Sequence, residues 1–363
     1  MGHMKNIHVL VTHPYVTPFL LQNIPLLVSV RFPLIARAFP SFPYASWPFG
    51  AVDAGLFSPE LYSGVEVNVV YATLMDREWG LNRARLGQLK HTLKKSPPRT
   101  VHAAMQQMFR ELPGYYDFNL AGDHDLMEKA FCAQVDAVHL LCEEPRILVM
   151  HLPVVRSESE LGYAAEKAIT NLREWMPYAE RKGIRIALEN VFEPPVGSGV
   201  GSHIPFIKEI FTKVDSPQLG MCLDIGHANI RARQLMGSRP KLKEYLRHFT
   251  YHQTLVKTFG KKIIHAHLHY NEAHKKNTHQ DMHAPLTLFG EEEREHLNAL
   301  LAMFVAGTSL ESVCLEVLPK KIFGLIGTGI GRATREDFIA SARMVRAISD
   351  GNVKSNASPR GNP

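Results

Sequence analysis

Histidine, aspartate and glutamate gather in this chain where they could hold metal. In Lys262–Leu286, KIIHAHLHYNEAHKKNTHQDMHAPL, His265, His267 and His269 recur at period two and share one face of a strand. A polar loop follows, then Asp281 and His283. Elsewhere, apolar segments end in the same chemistry: His102, His151, Glu189, Asp224 with His227 just beyond, and Glu316. Buried together and unpaired, such side chains would be costly, and a cation removes that cost. The five imidazoles (His102, His151, His227, His267, His283) and four carboxylates (Glu189, Asp224, Asp281, Glu316) exceed the needs of one ion. The mixture suits zinc, manganese or iron rather than magnesium or calcium, and two or three ions sharing bridging carboxylates would account for the number. Such a cluster can activate a water and stabilise a displacement at phosphorus.

These residues need a scaffold that brings strand ends to one place. Apolar runs at Ile7–Val11 or Pro25–Val30, then at Val65–Val70, Arg99–Ala103, Arg146–His151, Ile184–Glu189, Leu219–Asp224, Lys262–His269 and Ser312–Val317 read as eight strands. Helices are expected over Leu81–Lys94, from Asp123 or Asp125 to about Cys142, and over Glu158–Lys182 with a bend at Pro177 and Gly183 as C-cap. Further helices are expected over His203–Val214, Pro240–His252, Glu291–Val305 and Thr334–Ser349. Near-continuous apolar strands between amphipathic helices imply a parallel sheet covered by helices. The alternation fits a (β/α)8 barrel, usually ~250 residues, whose active sites lie at the C-terminal ends of the strands. No Gly-rich phosphate fingerprint follows an early strand, which counts against an open doubly wound sheet.

The 363 residues are 45% hydrophobic and 21% charged, as expected of a soluble globular protein. Met1–Met4 reads as a cloning scar, residues 5–349 as one barrel domain and residues 350–363 as a polar disordered tail. Pro-rich, aromatic Arg31–Gly50 reads as a loop insertion, either a lid or a packed surface loop. The apolar region from Val16 to Phe39 is broken by Pro18, Pro25, Arg31 and Pro33, so no membrane association is expected. Cys132, Cys142, Cys222 and Cys314 have no CxxC spacing and read as buried free thiols, consistent with a cytoplasmic protein. The net charge of +6 is compatible with a phosphorylated or sugar substrate and leaves nucleic acid open. Arg231, Arg233, Lys275 and Lys276 are the candidate substrate-binding residues, read as lying in loops on the catalytic face.

Five motifs carry a family resemblance: IALEN (Ile186–Asn190), LDIGHAN (Leu223–Asn229), HAHLHYN (His265–Asn271), DMHAPL (Asp281–Leu286) and CLEV (Cys314–Val317). With VHAAM, DFNLAG (Asp117–Gly122) and ILVMHLP, they make the chain from His102 to Glu316 resemble the xylose-isomerase-like TIM barrels. Those include endonuclease IV and many sugar-phosphate isomerases and epimerases. The resemblance implies two ligand sets. An endonuclease IV-like enzyme would use all nine positions for three metals, with Glu189 and Glu316 bridging. An isomerase or epimerase would use Glu189, Asp224, His267 and Glu316 around one ion, with Glu189 and Glu316 exchanging the substrate proton and His227 holding substrate. The chain departs from the family at Tyr270, where aspartate is common, and at TLFG after DMHAPL. Ligand number puts a phosphate-ester hydrolase ahead, with the sugar or sugar-phosphate isomerase or epimerase as the alternative.

Overall fold

A computed structural model describes residues 8–12, 62–69, 74–76, 78–94, 97–106, 118–194, 197–236, 249–271, 281–317, 321–322, 326–327 and 333–349. Met1–Met4, the Pro25–Val30 strand candidate, Arg31–Gly50, Lys275, Lys276 and the tail after Ser349 lie outside these residues.

Eight parallel strands close into a barrel: β1 His8–Thr12, β2 Gly64–Asn68, β3 Pro98–His102, β4 Ile147–His151, β5 Arg185–Glu189, β6 Leu219–Asp224, β7 Ile263–Leu268 and β8 Ser312–Leu315. Each pairs with its sequence neighbours, and β1 closes the ring against β8. The expected (β/α)8 architecture is therefore present, with Ile7–Val11 supplying the first strand. The described helices are α1 Arg83–Thr92, α2 His124–Leu141, α3 Leu161–Lys182, α4 Ile204–Val214, α5 Ile225–Met236, α6 Phe249–Phe259, α7 Glu291–Gly307 and α8 Arg335–Ser349. Their apolar faces pack on the outer faces of the strands in one large core that includes Phe131, Trp175, Phe211 and Phe304.

Local chemistry sets the ends of these helices. Asp123, not Asp125, caps α2 by accepting the Leu126 N–H at 3.1 Å. Thr334 and Asp337 exchange side-chain-to-backbone bonds at the start of α8, a capping box. Gly183, at φ 67°, ends α3 in the left-handed conformation that glycine adopts without strain. α3 runs through Pro177 without interruption.

Of the helix expected over Pro240–His252, residues 240–248 lie outside the described residues, and residues 249–252 open α6, which runs on to Phe259 with Leu255, Val256 and Phe259 as its buried face. One sequence expectation needs correcting. A helix, α5, starts directly after β6, so Arg231 and Arg233 sit on a helix and not in a loop. The Asp224 carboxylate ends β6 and starts α5 at once, accepting the His227 N–H. Among the cysteines, Cys142, Cys222 and Cys314 are buried free thiols, while Cys132 is half-buried on α2.

Among the described residues no helix is long and apolar enough to cross a membrane.

Candidate metal centre

Parallel strands of one barrel end on one face, so residues far apart in sequence converge there. His102, His151, Glu189 and Asp224 are the last residues of β3, β4, β5 and β6. Glu316 lies one residue past β8 and continues its ladder, its N–H donating to the Leu268 carbonyl at 3.2 Å. Asp281 and His283 are carried back over the barrel by paired bonds between Tyr270 and Ala284 at 2.7 and 3.1 Å. Asn271 fixes that return: its amide donates to Asp281 Oδ1 at 3.1 Å, and its Oδ1 accepts the Met282 N–H at 2.6 Å. Asn190 clamps β5 to β6 by exchanging two 2.9 Å bonds with the Asp224 backbone.

All nine strand-end and loop residues meet in one cluster. Glu189 is its centre, with Oε1 3.1 Å from His227 Nδ1 and 3.3 Å from His267 Nδ1. Its Oε2 lies 3.1 Å from His151 Nε2 and 3.3 Å from His102 Nε2. Asp281 Oδ2 stands 2.9 Å from His227 Nε2 and 2.8 Å from His283 Nε2. Around His267 Nδ1 three carboxylates converge: Glu189 Oε1 at 3.3 Å, Glu316 Oε2 at 3.3 Å and Asp224 Oδ2 at 3.7 Å. The floor of the cluster is closed, since the Glu189, Asp224 and His267 side chains are at most 1% exposed. Its mouth is open at His151, Asp281, His283 and Glu316, at 17–22%.

Two further residues join that the sequence reading left out of the ligand set. His269 is fully buried, with Nε2 3.0 Å from Asp224 Oδ2, and stacks on His283 at 4.5 Å between ring centroids. The period-two spacing with His267 was the signal for it. Glu66, in the middle of β2, is fully buried and reaches His267 Nε2 at 3.0 Å and His265 Nε2 at 3.1 Å. Its signal was a carboxylate inside the otherwise apolar GVEV, which resembles a solvent-facing position until the barrel closes over it.

Burial and mutual charge oppose each other throughout. Burial works against ionisation of Glu189, but His267 and His151 outweigh it and hold its carboxyl well below the usual range. Burial is likewise outweighed at Asp281 by His283 and His269, and at Glu316 by His283 and His267, so both carboxyls are held low. For His283, burial opposes the charged form, yet Asp281 and Glu316 push the imidazole up to about 10. His227 and His267 are raised well above the ordinary imidazole value, against burial, chiefly by Asp224 and Asp281 for the first. Cys222 and Glu66 act on the second.

The residues fit a divalent cation. Glu189 Oε2, His269 Nδ1 and Glu316 Oε2 are buried and make no hydrogen bond among the described residues, although each faces other donor atoms. Three imidazoles are oriented for ligation by backbone carbonyls. His102 Nδ1 donates to Ala103 O at 2.9 Å, His227 Nδ1 to Asn190 O at 3.0 Å and His283 Nδ1 to Glu316 O at 3.0 Å. Each bond leaves Nε2 directed at the cluster. The triplets His102–His151–Glu189, Asp224–His227–His269 and His269–His283–Glu316 each place ligand atoms within 4.8 Å of one another.

Of the candidate substrate-binding residues, Arg231 is turned to its own protein. Its Nε donates to Ser202 O at 3.0 Å and its guanidinium lies 3.6 Å from Glu193. Arg233 is half-buried two positions further along α5.

A family model described as xylose isomerase-like TIM barrel matches residues 62–299. No curated protein matches the chain by sequence. Solved structures share its fold. One is a D-tagatose 3-epimerase-like protein at 19% identity and TM-score 0.52, covering 80% of this chain and 89% of that one. Another is the IOLI protein with a bound zinc atom, at 17% identity and TM-score 0.54, covering 84% and 94%. A third is the apo form of 3-keto-D-glucoside 4-epimerase from E. coli, at 13% identity and TM-score 0.50, covering 84% and 96%. The match across most of the barrel and the convergence of its strand-end residues place this chain in the xylose isomerase-like TIM-barrel family.

Proposed function

We propose that the chain is a divalent-metal-dependent isomerase or epimerase of a small sugar, acting at the mouth of the barrel. The observation that carries this reading is the convergence of Glu189, Asp224 and Glu316 on His267 Nδ1 at 3.3–3.7 Å. That is a complete one-ion ligand set containing two glutamates that can also move protons. A bound divalent ion would polarise the carbonyl and neighbouring hydroxyl of a sugar and acidify the carbon between them. Glu189 and Glu316, both held ionised by their imidazole neighbours, are bases for that carbon-bound proton. Uptake by one glutamate and delivery by the other, from the opposite face, inverts the carbon. Return to the adjacent carbon, with the hydroxyl proton passing from one oxygen to the other, moves the carbonyl. Glu316 lies at the open mouth of the site, where it can take the proton it delivers from solvent. His227 is offered to a substrate hydroxyl, with Phe192 against its ring at 5.3 Å as an apolar wall. The sugar epimerases among the chains of similar fold support a small sugar as the substrate class.

A phosphate-ester hydrolase with two or three ions is the second reading. It is favoured by the three ligand triplets, two of which share His269 and which one ion does not require. The engagement of Arg231 by Ser202 and Glu193 gives a substrate phosphate little purchase there. The discriminating experiment incubates zinc- or manganese-loaded protein in D2O with a panel of ketoses and aldoses, and separately with phosphate esters and abasic DNA. Deuterium appearing at a single sugar carbon by NMR is the expected result. Phosphate-ester cleavage without exchange into any sugar would replace this reading with hydrolysis.

A further inference from the structure

His267 is held differently from the other ligand histidines. His102, His227 and His283 each donate from Nδ1 to a backbone carbonyl and turn Nε2 to the cluster, although His227 Nδ1 also lies 3.1 Å from Glu189 Oε1. His267 is reversed: Nδ1 faces Glu189, Asp224 and Glu316, while Nε2 faces down the barrel. There it meets a side chain, Glu66 Oε1, at 3.0 Å. The two atoms stand off the line of an ideal hydrogen bond, and neither makes a hydrogen bond to anything else among the described residues.

Glu66 is itself held on its other oxygen. Oε2 accepts from Thr100 Oγ1 at 2.8 Å and faces His265 Nε2 at 3.1 Å, while His265 Nδ1 lies 2.6 Å from Ser312 Oγ. Glu66, Thr100, His265, His267 and Ser312 are each 0% exposed. β2, β3, β7 and β8 thus each contribute a side chain to one buried chain of contacts that ends on His267. An imidazole has one lone pair to give a metal, and which nitrogen carries it depends on where the other nitrogen's proton is bound.

We infer that Glu66 is a positioning residue for the metal centre: its carboxylate holds the N–H of His267 at Nε2, so that Nδ1 is the ligating atom, and Thr100, His265 and Ser312 fix the carboxylate. This rests on the metal-binding part of the reading above and is independent of which reaction is catalysed.

The test titrates zinc and cobalt(II) into metal-free wild-type protein and the Glu66→Gln and Thr100→Val variants. It follows affinity by calorimetry and ligand geometry by the cobalt absorption bands. Glu66→Gln is expected to weaken zinc about 10–100-fold and to change the cobalt spectrum, as loss of an outer partner does at other metal sites. Thr100→Val, which removes only the hydroxyl holding Glu66, is expected to weaken zinc by a smaller factor while leaving the chain folded. It decides the question if Glu66→Gln does not fold. Long-range 15N–1H NMR of the zinc-loaded protein should show His267 Nδ1 shifted by the metal and Nε2 still carrying its proton in wild type, with that signal shifted in Glu66→Gln. Variants that lose thermal stability yet keep wild-type zinc affinity, cobalt spectrum and His267 tautomer would reduce Glu66 to a structural role. A wild-type chain that binds neither metal would instead overturn the metal centre itself.

Discussion

Beneath the proposed metal centre the barrel interior has two unlike halves. Under β4, β5, β6 and the start of β7 it is apolar: Ile147, Val149, Ala187, Cys222 and Ile264 form a closed cluster of their own. Under β2, β3, β8 and the rest of β7 it is polar: Glu66, Thr100, Ser312 and His265, all fully buried. On the apolar side one step of two residues leads straight to the site, from Val149 to His151, Ala187 to Glu189 and Cys222 to Asp224. On the polar side the same step leads from one histidine to the next, His265 to His267. The two halves meet at a register shift between β6 and β7, where Met221 pairs with Ile263 but Cys222 pairs with His265, leaving Ile264 as the extra residue. Below the strand ends the apolar half offers its ligands only packed side chains, whereas the polar half holds His267 by a directed contact to Glu66.

The largest break in this arrangement should come at the shared floor. Glu189 touches both flanking histidine groups, so Glu189→Gln should lower kcat by roughly 10²–10⁴-fold in the metal-loaded protein and reduce bound metal. Steady-state rates paired with metal analysis check both effects; a fully active, metal-replete variant would remove Glu189 from the site.

The next effect separates the two halves. Glu66→Ala leaves His265 and His267 facing a void where a carboxylate stood. Breaking a buried ion pair on one side costs about 3–5 kcal/mol, readable in denaturant unfolding of the metal-free chain. On the apolar side, Ile264→Val should cost only about 0.5–1.5 kcal/mol and leave zinc affinity unchanged. Equal losses in the two variants would erase the distinction between the halves.

Between these in size lies the effect of pH. The folded-state values of His227, His267 and His283 are raised, His283 to about 10. Their contribution to the stability of the metal-free chain is therefore complete below the ordinary imidazole value of about 6.5 and is lost as pH rises toward 10. The carboxylates run the other way. Glu66, Glu189 and Asp281 are lowered, so their contribution is complete above the usual carboxylate range and is lost as pH falls below it toward their depressed folded-state values. The Tm of metal-free protein should fall from pH 6.5 to 10 while zinc affinity rises, by about tenfold per pH unit for each proton displaced. Zinc affinity flat across that window would contradict competition between protons and metal at these histidines.

The same contrast explains how much could be read from sequence. Strand-end residues were legible because each terminates an apolar run, a pattern that survives without knowing the fold, and eight such runs imply the barrel that gathers them. Glu66 was not, because alternation along β2 says which residues share a face but not which face the closed barrel turns inward. His269 carried the right spacing, but its place on Asp224 depends on where α5 begins. That start was hidden because Asp224 both ends a strand and caps a helix, which also moved Arg231 and Arg233 out of the loop expected for them. Asp281 and His283 were legible from their Asp-x-His spacing and the DMHAPL motif, but the Tyr270–Ala284 pairing and the Asn271 bonds that return them to the cluster have no local signature.

The most direct measurement is metal content by elemental analysis of protein purified without added metal or chelator, wild type beside Glu189→Gln. The account predicts at least one equivalent of zinc, manganese or iron in wild type and its loss in the variant. Two or three equivalents would give weight to the hydrolase reading. A wild-type chain that is metal-free and shows no affinity for added zinc would contradict the metal centre.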